Sequence, residues 1–145
     1  MARGATYEVF DNLDLDDPDS VTWQGQDGYV YFLQWSNDLT NWNYVSTIYQ
    51  GAGSYNWAYP ITPDTVICRV LAVYVPSTDP NLDDFDDDGI TNLAELSLGL
   101  NPLNPDSDGD GFEDGLEQEL GANPLLQDHF TEWTGTNAIV LTPTS

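Results

Sequence analysis

The sequence contains no lysine. Its only permanent cations are Arg3 and Arg69, and its one histidine is His129, against 25 aspartates and glutamates and a formal net charge of -23 at pH 7. Such a charge repels phosphate backbones and anionic lipid surfaces, which argues against nucleic acid and membranes as partners. Long apolar runs are also missing. A membrane-spanning helix needs about 20 apolar residues in a row, so no membrane insertion is expected. Cysteine is limited to Cys68, which excludes an intramolecular disulfide; within Val66-Ile-Cys-Arg-Val70 it reads as a small core residue. Catalytic material is scarce as well. There is no G-x-S-x-G elbow, Gly-rich phosphate loop or metalloprotease helix, and Cys68 has no partner base in view, so the chain is not expected to be an enzyme. Residues 1–7 lack the apolar core of a signal peptide.

What is present is a foldable acidic protein. Of 145 residues, 40% are hydrophobic and 12% aromatic, enough to build a core rather than a disordered acidic tail. Like charges at this density oppose compaction. Bound cations relieve that repulsion, and hard oxygen sites favour Ca²⁺.

Residues 1–76 read as a β-sandwich domain. Short β-branched and aromatic runs are expected as strands at Ala5–Phe10, Val21–Gln24, Tyr29–Trp35, Tyr44–Tyr49, Tyr55–Tyr59 and Val66–Val75. Turn residues separate them, at 16–19, 25–28, 36–41, 51–53 and 62–64. This spacing predicts a small antiparallel sandwich with Val66–Val75 as a central strand. Residues 77–83 read as a linker after Pro76, since proline ends strand pairing. Residues 84–128 hold two repeats, and 129–145 form a tail whose stretch 136–142 reads as a strand lying beyond the repeats with no sheet of its own.

The repeats carry the chemistry. With a shift of 22, Asp84, Asp86, Asp88, Gly89, Glu95, Gly99 and Asn101-Pro102 align with Asp106, Asp108, Asp110, Gly111, Glu117, Gly121 and Asn123-Pro124. Each copy fits the twelve-residue calcium-loop template. Carboxylates at positions 1, 3 and 5 are Asp84, Asp86 and Asp88, then Asp106, Asp108 and Asp110. Gly89 and Gly111 at position 6 allow the sharp turn. Position 7 (Ile90, Phe112) offers its carbonyl, position 9 (Asn92, Asp114) can bind through water, and position 12 (Glu95, Glu117) can bind with both oxygens. Carboxylates this crowded need a cation between them. Seven oxygens on a flexible loop suit Ca²⁺, and no Cys or His lies nearby to favour zinc. Two Ca²⁺ sites are therefore expected. Prolines 80, 102 and 105 prevent a long helix from entering either loop, whereas 91–99 and 113–121 read as short exit helices ending at glycine.

Residues 84–127 resemble bacterial thrombospondin type-3 repeats, on the run from Asp86-Asp-Asp-Gly-Ile through Asn101-Pro-Leu-Asn-Pro to Asp108-Gly-Asp-Gly-Phe. The resemblance implies calcium-stabilised rods or spacers in secreted and surface proteins. Loop one departs from the pattern at Phe85 and Asp87, where small residues or glycine are usual. Residues 28–75 resemble a fibronectin type III-like sandwich, on Tyr31-Phe-Leu-Gln-Trp-Ser-Asn-Asp-Leu-Thr-Asn-Trp and the later Cys68-Arg-Val. Together the two resemblances imply an extracellular or cell-surface setting and a mature chain with an added first methionine.

Among five tryptophans, Trp35 and Trp42 are expected to pack the sandwich, and Trp57 and Trp133 are the candidates for stacking on a surface glycan. The acids 11, 14, 16, 17 and 19 lack the loop order and read as a solvated surface. The leading expectation is a structural or adhesion module, with self-assembly into a filament or surface layer by addition of the C-terminal strand to a neighbour. The alternatives are a dockerin-like module that binds a protein through its calcium loops, and a carbohydrate-binding module.

Overall fold

The computed structural model describes residues 6–10, 13, 14, 16, 19–59, 66–75, 79–133 and 139–143; for 128–133 and 139–143 it describes the backbone. The chain is mainly β, with two short helices. It divides into two compact units, one from Thr6 to Asp83 and one from Asp84 onward.

Seven strands in two antiparallel sheets build the first unit. They are β1 (Glu8–Phe10), β2 (Leu13–Asp14), β3 (Ser20–Gly25), β4 (Tyr29–Ser36), β5 (Asn43–Gln50), β6 (Gly53–Ala58) and β7 (Ile67–Tyr74). One sheet has the order β1-β7-β4-β5 and the other β2-β3-β6. Six of the seven fall on the runs that β-branched and aromatic residues and the turn residues between them mark out. The two-residue β2 is too short to leave a periodic signal. β7 is an inner strand, flanked by β1 and β4, in keeping with an apolar run interrupted by Arg69 alone. Ala5, 62–64 and residues 77–78 of the expected linker lie outside the described residues. Asp79 begins a turn instead, its carbonyl accepting from the Leu82 and Asp83 amides.

The core lies between the sheets. Val21 and Trp23 of β3 meet Tyr31 and Leu33 of β4 and Val70 and Ala72 of β7. Each pair is two residues apart, so the pleat turns both side chains to one face. Trp23 is 1% exposed, edge-on to Tyr49 at 4.9 Å and tilted against Tyr55 at 5.5 Å. The expectation for tryptophan is corrected here. Trp23 is the core tryptophan, whereas Trp35 and Trp42 are half-buried outside the central cluster. Trp42 carries the Arg69 guanidinium 3.8 Å from its ring centre, and Arg69 also donates to the Gln34 side chain at 2.6 Å. The reason is register. Trp35 faces Cys68 at the far end of the β4–β7 ladder, beyond the stretch where β3 closes the core.

Cys68 is half-buried beside that core, and burial pushes its thiol up to about 11. The turn between β4 and β5 is held by Asp38, which accepts from the Thr40 amide at 2.8 Å and the Asn41 amide at 2.7 Å, with Leu39 at φ 64.

In the second unit, α1 (Asn92–Leu98) and α2 (Asp114–Leu120) each leave a loop and stop at a left-handed glycine, Gly99 at φ 80 and Gly121 at φ 75. Both ends match the short exit helices expected, since glycine takes this conformation without a Cβ clash. The tail departs from expectation. Its strand β9 (Ile139–Pro143) is not without a sheet: it pairs antiparallel with β8 (Asp128–Trp133), with a register shift between Phe130 and Glu132. The polar residues of Asp128-His-Phe-Thr-Glu-Trp hide a strand whose backbone finds its partner only after the chain turns back. Residues 136–138 lie outside the described residues.

Candidate metal centres

The two loops fold alike, residue for residue. The first aspartate of each gathers the amides of its own turn. Asp84 accepts from Asp87 at 2.7 Å and Gly89 at 2.9 Å; Asp106 accepts from Gly109 at 2.7 Å and Gly111 at 2.8 Å. The fifth-position aspartate then accepts from the amide two residues on, Asp88 from Ile90 at 2.7 Å and Asp110 from Phe112 at 2.9 Å. Gly89 and Gly111 have φ 98 and 100, a conformation that favours glycine and explains position 6. Position 4 is also left-handed. Gly109 takes φ 78, and Asp87 reaches φ 61 in spite of its side chain. Loop one thus keeps the shape of loop two through its departure at Asp87, because aspartate tolerates this region better than most residues.

These turns gather the carboxylates. In Asp84, Asp86 and Asp88, one oxygen from each lies within 4.8 Å of the others, and the same holds for Asp106, Asp108 and Asp110. Ligands on opposite sides of one Ca²⁺ stand about 4.6–5.2 Å apart, given Ca–O distances of about 2.3–2.6 Å. Either triad can therefore touch a single ion.

Burial leaves these carboxylates two ways to lose their charge, a proton or a bound cation. Asp86 and Glu95 are both 0% exposed, and neither carboxylate oxygen of Glu95 has a hydrogen-bond donor in place. Leaving ionised carboxylates buried without donors is strongly unfavourable. Burial first, then the charges of Asp88 and Asp84, push the Asp86 carboxyl up to about 8. Burial, then Asp86, Asp88, Asp114 and Asp84, push Glu95 up to about 9. Asp88 and Asp108 are raised chiefly by burial too. Buried apolar side chains in this unit amount, among the described residues, to Ile90, Leu96, Leu100 and Leu103 with a few prolines. The interior is made of carboxylates as much as of carbon, which is the donor chemistry of a hard divalent cation.

Position 9 takes a part that the template does not assign. Asn92 accepts from the Phe85 amide at 3.0 Å, and Asp114 accepts from the Ser107 amide at 2.9 Å and the Ser107 hydroxyl at 2.5 Å. Both are fully buried and tie the helix to position 2 of the loop. Burial, partly offset by the Ser107 hydrogen bonds, raises Asp114 to about 6. The position-12 glutamates belong to neither triad. Glu95 is grouped with Asp88 and with Asp114 of the second repeat, while Glu117 is buried at the start of α2. Ile90 is buried and Phe112 half-buried, so the side chains at position 7 face inward and leave their carbonyls as the ligand candidates.

Sequence reading missed the parts played by Gly115 and Ser107. Gly115 donates to Asp88 at 3.1 Å, and a Cβ there would lie 2.0 Å from the Asp88 carbonyl oxygen. The available signal was faint: loop two reads Asp114-Gly115 where loop one reads Asn92-Leu93.

The sugar-stacking candidates fare unevenly. Trp57 is half-buried, packs against the core and meets Tyr59 edge-on at 5.5 Å, which removes much of its free face. The Trp133 side chain lies outside the described residues. Of the acids at 11–19, numbers 11 and 17 lie outside as well, and Asp14, Asp16 and Asp19 are exposed. No helix among the described residues is long and apolar enough to cross a membrane. Comparison of the chain with protein-family models, curated proteins and solved structures finds no match.

Proposed function

We propose that this chain is a calcium-braced structural module of an extracellular or cell-surface protein. On this reading a fibronectin type III-like sandwich precedes two repeats of thrombospondin type-3 character, each folded around Ca²⁺. The observation that carries it is the pair of fully buried carboxylates, Asp86 and Glu95, the latter with no donor on either oxygen. Calcium supplies the missing charge, and its binding and the folding of residues 84–127 are one event. The ligands are Asp84, Asp86, Asp88, the Ile90 carbonyl and Glu95 in the first loop, and Asp106, Asp108, Asp110, the Phe112 carbonyl and Glu117 in the second. Asn92 and Asp114 fasten each loop to its helix.

The role that follows is mechanical: a spacer or adhesion unit, rigid where calcium is millimolar. Loops of this kind in extracellular modules work at Kd values of about 10⁻⁴–10⁻³ M. Strand exchange between copies loses its original motive, because β9 already pairs with β8. Glycan binding is disfavoured by the packing of Trp57.

The test is calorimetric titration of EDTA-stripped protein with Ca²⁺, alongside thermal unfolding and light scattering. Binding to both loops with a rise in Tm is expected, and Glu95→Gln should weaken the first loop at least tenfold. A protein that takes up no Ca²⁺ at millimolar concentration, or gains no stability from it, ends this reading. Growth in scattering with Ca²⁺ would restore an assembly role.

A further inference from the structure

Beyond its own triad, the first repeat shares a second group of acids with the next repeat. Asp88, Glu95 and Asp114 each place one oxygen within 4.8 Å of the other two. Their sources differ: Asp88 is the fifth residue of loop one, Glu95 lies in the first turn of α1, and Asp114 is the first residue of α2. Asp88 is 9% exposed, and Glu95 and Asp114 are 0% exposed. The repeats themselves, residues 84–127, contain no arginine, lysine or histidine.

We propose that a divalent cation binds between the two repeats, held by Asp88, Glu95 and Asp114, in addition to the ion of each loop. The inference rests on the calcium-module reading and deepens it. Two observations carry it independently. The first is the distance, which fits three oxygens on one ion of Ca²⁺ size. The second is Glu95, whose two oxygens are both buried without a donor. One oxygen can serve the loop-one ion and the other the shared ion. Asp88 belongs to both groups and bridges the two positions. The hydrogen bonds that Asp114 accepts from Ser107 use one lone pair on each oxygen and leave the others for a metal.

The junction is also built for close approach. The Gly115 amide caps Asp88, and only glycine fits against the Asp88 carbonyl. Loop two has no counterpart to this site among the described residues. Its own Asp110 and Glu117 would need a position-9 acid from a third repeat, and the residue one repeat further on is Thr136. The ion count is therefore three rather than two, and it is asymmetric.

Asp114→Asn is the decisive variant. Asparagine at this place keeps a carbonyl oxygen for the Ser107 amide, as Asn92 does for Phe85 in loop one, so loop two retains its anchor. The experiment is calcium titration of the full chain by calorimetry at about 0.15 M monovalent salt, which suppresses diffuse counterion uptake. The wild type is expected to bind three Ca²⁺ and Asp114→Asn two, with circular dichroism of the saturated proteins unchanged. Two ions in the wild type, or three in the variant, overturn the shared site and leave the two-loop reading standing. No ions in the wild type removes both.

Discussion

The carboxylate of Asp88 accepts a hydrogen bond from the amide of Gly115 at 3.1 Å, across 27 residues and from one repeat to the next. A side chain at 115 would have its Cβ 2.0 Å from the Asp88 carbonyl, which is backbone and has no rotamer to escape through. Gly115→Ala should lower the stability of the calcium-loaded protein by about 1–3 kcal/mol, the usual range for overpacking. Urea unfolding in excess Ca²⁺ measures this, and an unchanged midpoint would mean that the junction opens at no cost.

Asp87 and Gly109 stand at the same loop position and share a left-handed backbone, at φ 61 and 78. Aspartate is strained there and glycine is not. Asp87→Gly should strengthen calcium binding to loop one and stabilise the loaded state by about 0.5 kcal/mol, the relief of strain being partly offset by the freedom glycine has when unfolded. Gly109→Asp should do the reverse in loop two. Paired melts in Ca²⁺ test both, and equal effects of the same sign would contradict the shared geometry.

Metal-free protein should become more stable as pH falls from neutrality. The carboxyls of Asp86, Glu95 and Asp114 are raised in the fold, to about 8, 9 and 6. A raised acid binds its proton more tightly when folded, so its contribution is fully present below its ordinary value near 4 and is lost as pH climbs through the raised one. The loss therefore spans about pH 4 to 9 in EDTA. Saturating Ca²⁺ reverses the slope, because the ion binds only the deprotonated groups. Melting temperatures across this range, with and without EDTA, should diverge as pH rises; parallel curves would mean that the buried acids are not what calcium relieves.

Trp23 anchors the sandwich. Trp23→Ala should cost about 3–5 kcal/mol, as for other fully buried large side chains. Trp57→Ala, which removes a half-buried ring, should cost less. Denaturant midpoints rank the two, and a reversed order would place the core elsewhere.

Cys68 should react slowly with thiol reagents at pH 8, since burial holds its pKa near 11 and little thiolate is present. Denaturant should speed the reaction by orders of magnitude. Rapid labelling of the folded protein would show that the edge of the β4–β7 sheet opens.

Much of this protein was legible in its sequence. Runs of β-branched and aromatic residues between turn residues placed β3, β4, β5 and β6, and glycine after a short segment placed the ends of α1 and α2, because these signals are local. The loop acids were equally plain: turn geometry ties Asp84 and Asp106 to amides only a few residues away. Tertiary structure alone decided the rest. Trp23 rather than Trp35 became the core because strand register, not residue type, sets which side chains face each other. The stretch 136–142 offered no sign that its partner would be β8, since pairing across a turn depends on backbone groups that every residue carries. Asp114 sits in loop two by sequence and beside Glu95 of the first repeat in space. Composition alone made cations the plain relief for this chain's charge; only the folded packing of Gly115 on Asp88 brought an acid of the second repeat beside two of the first.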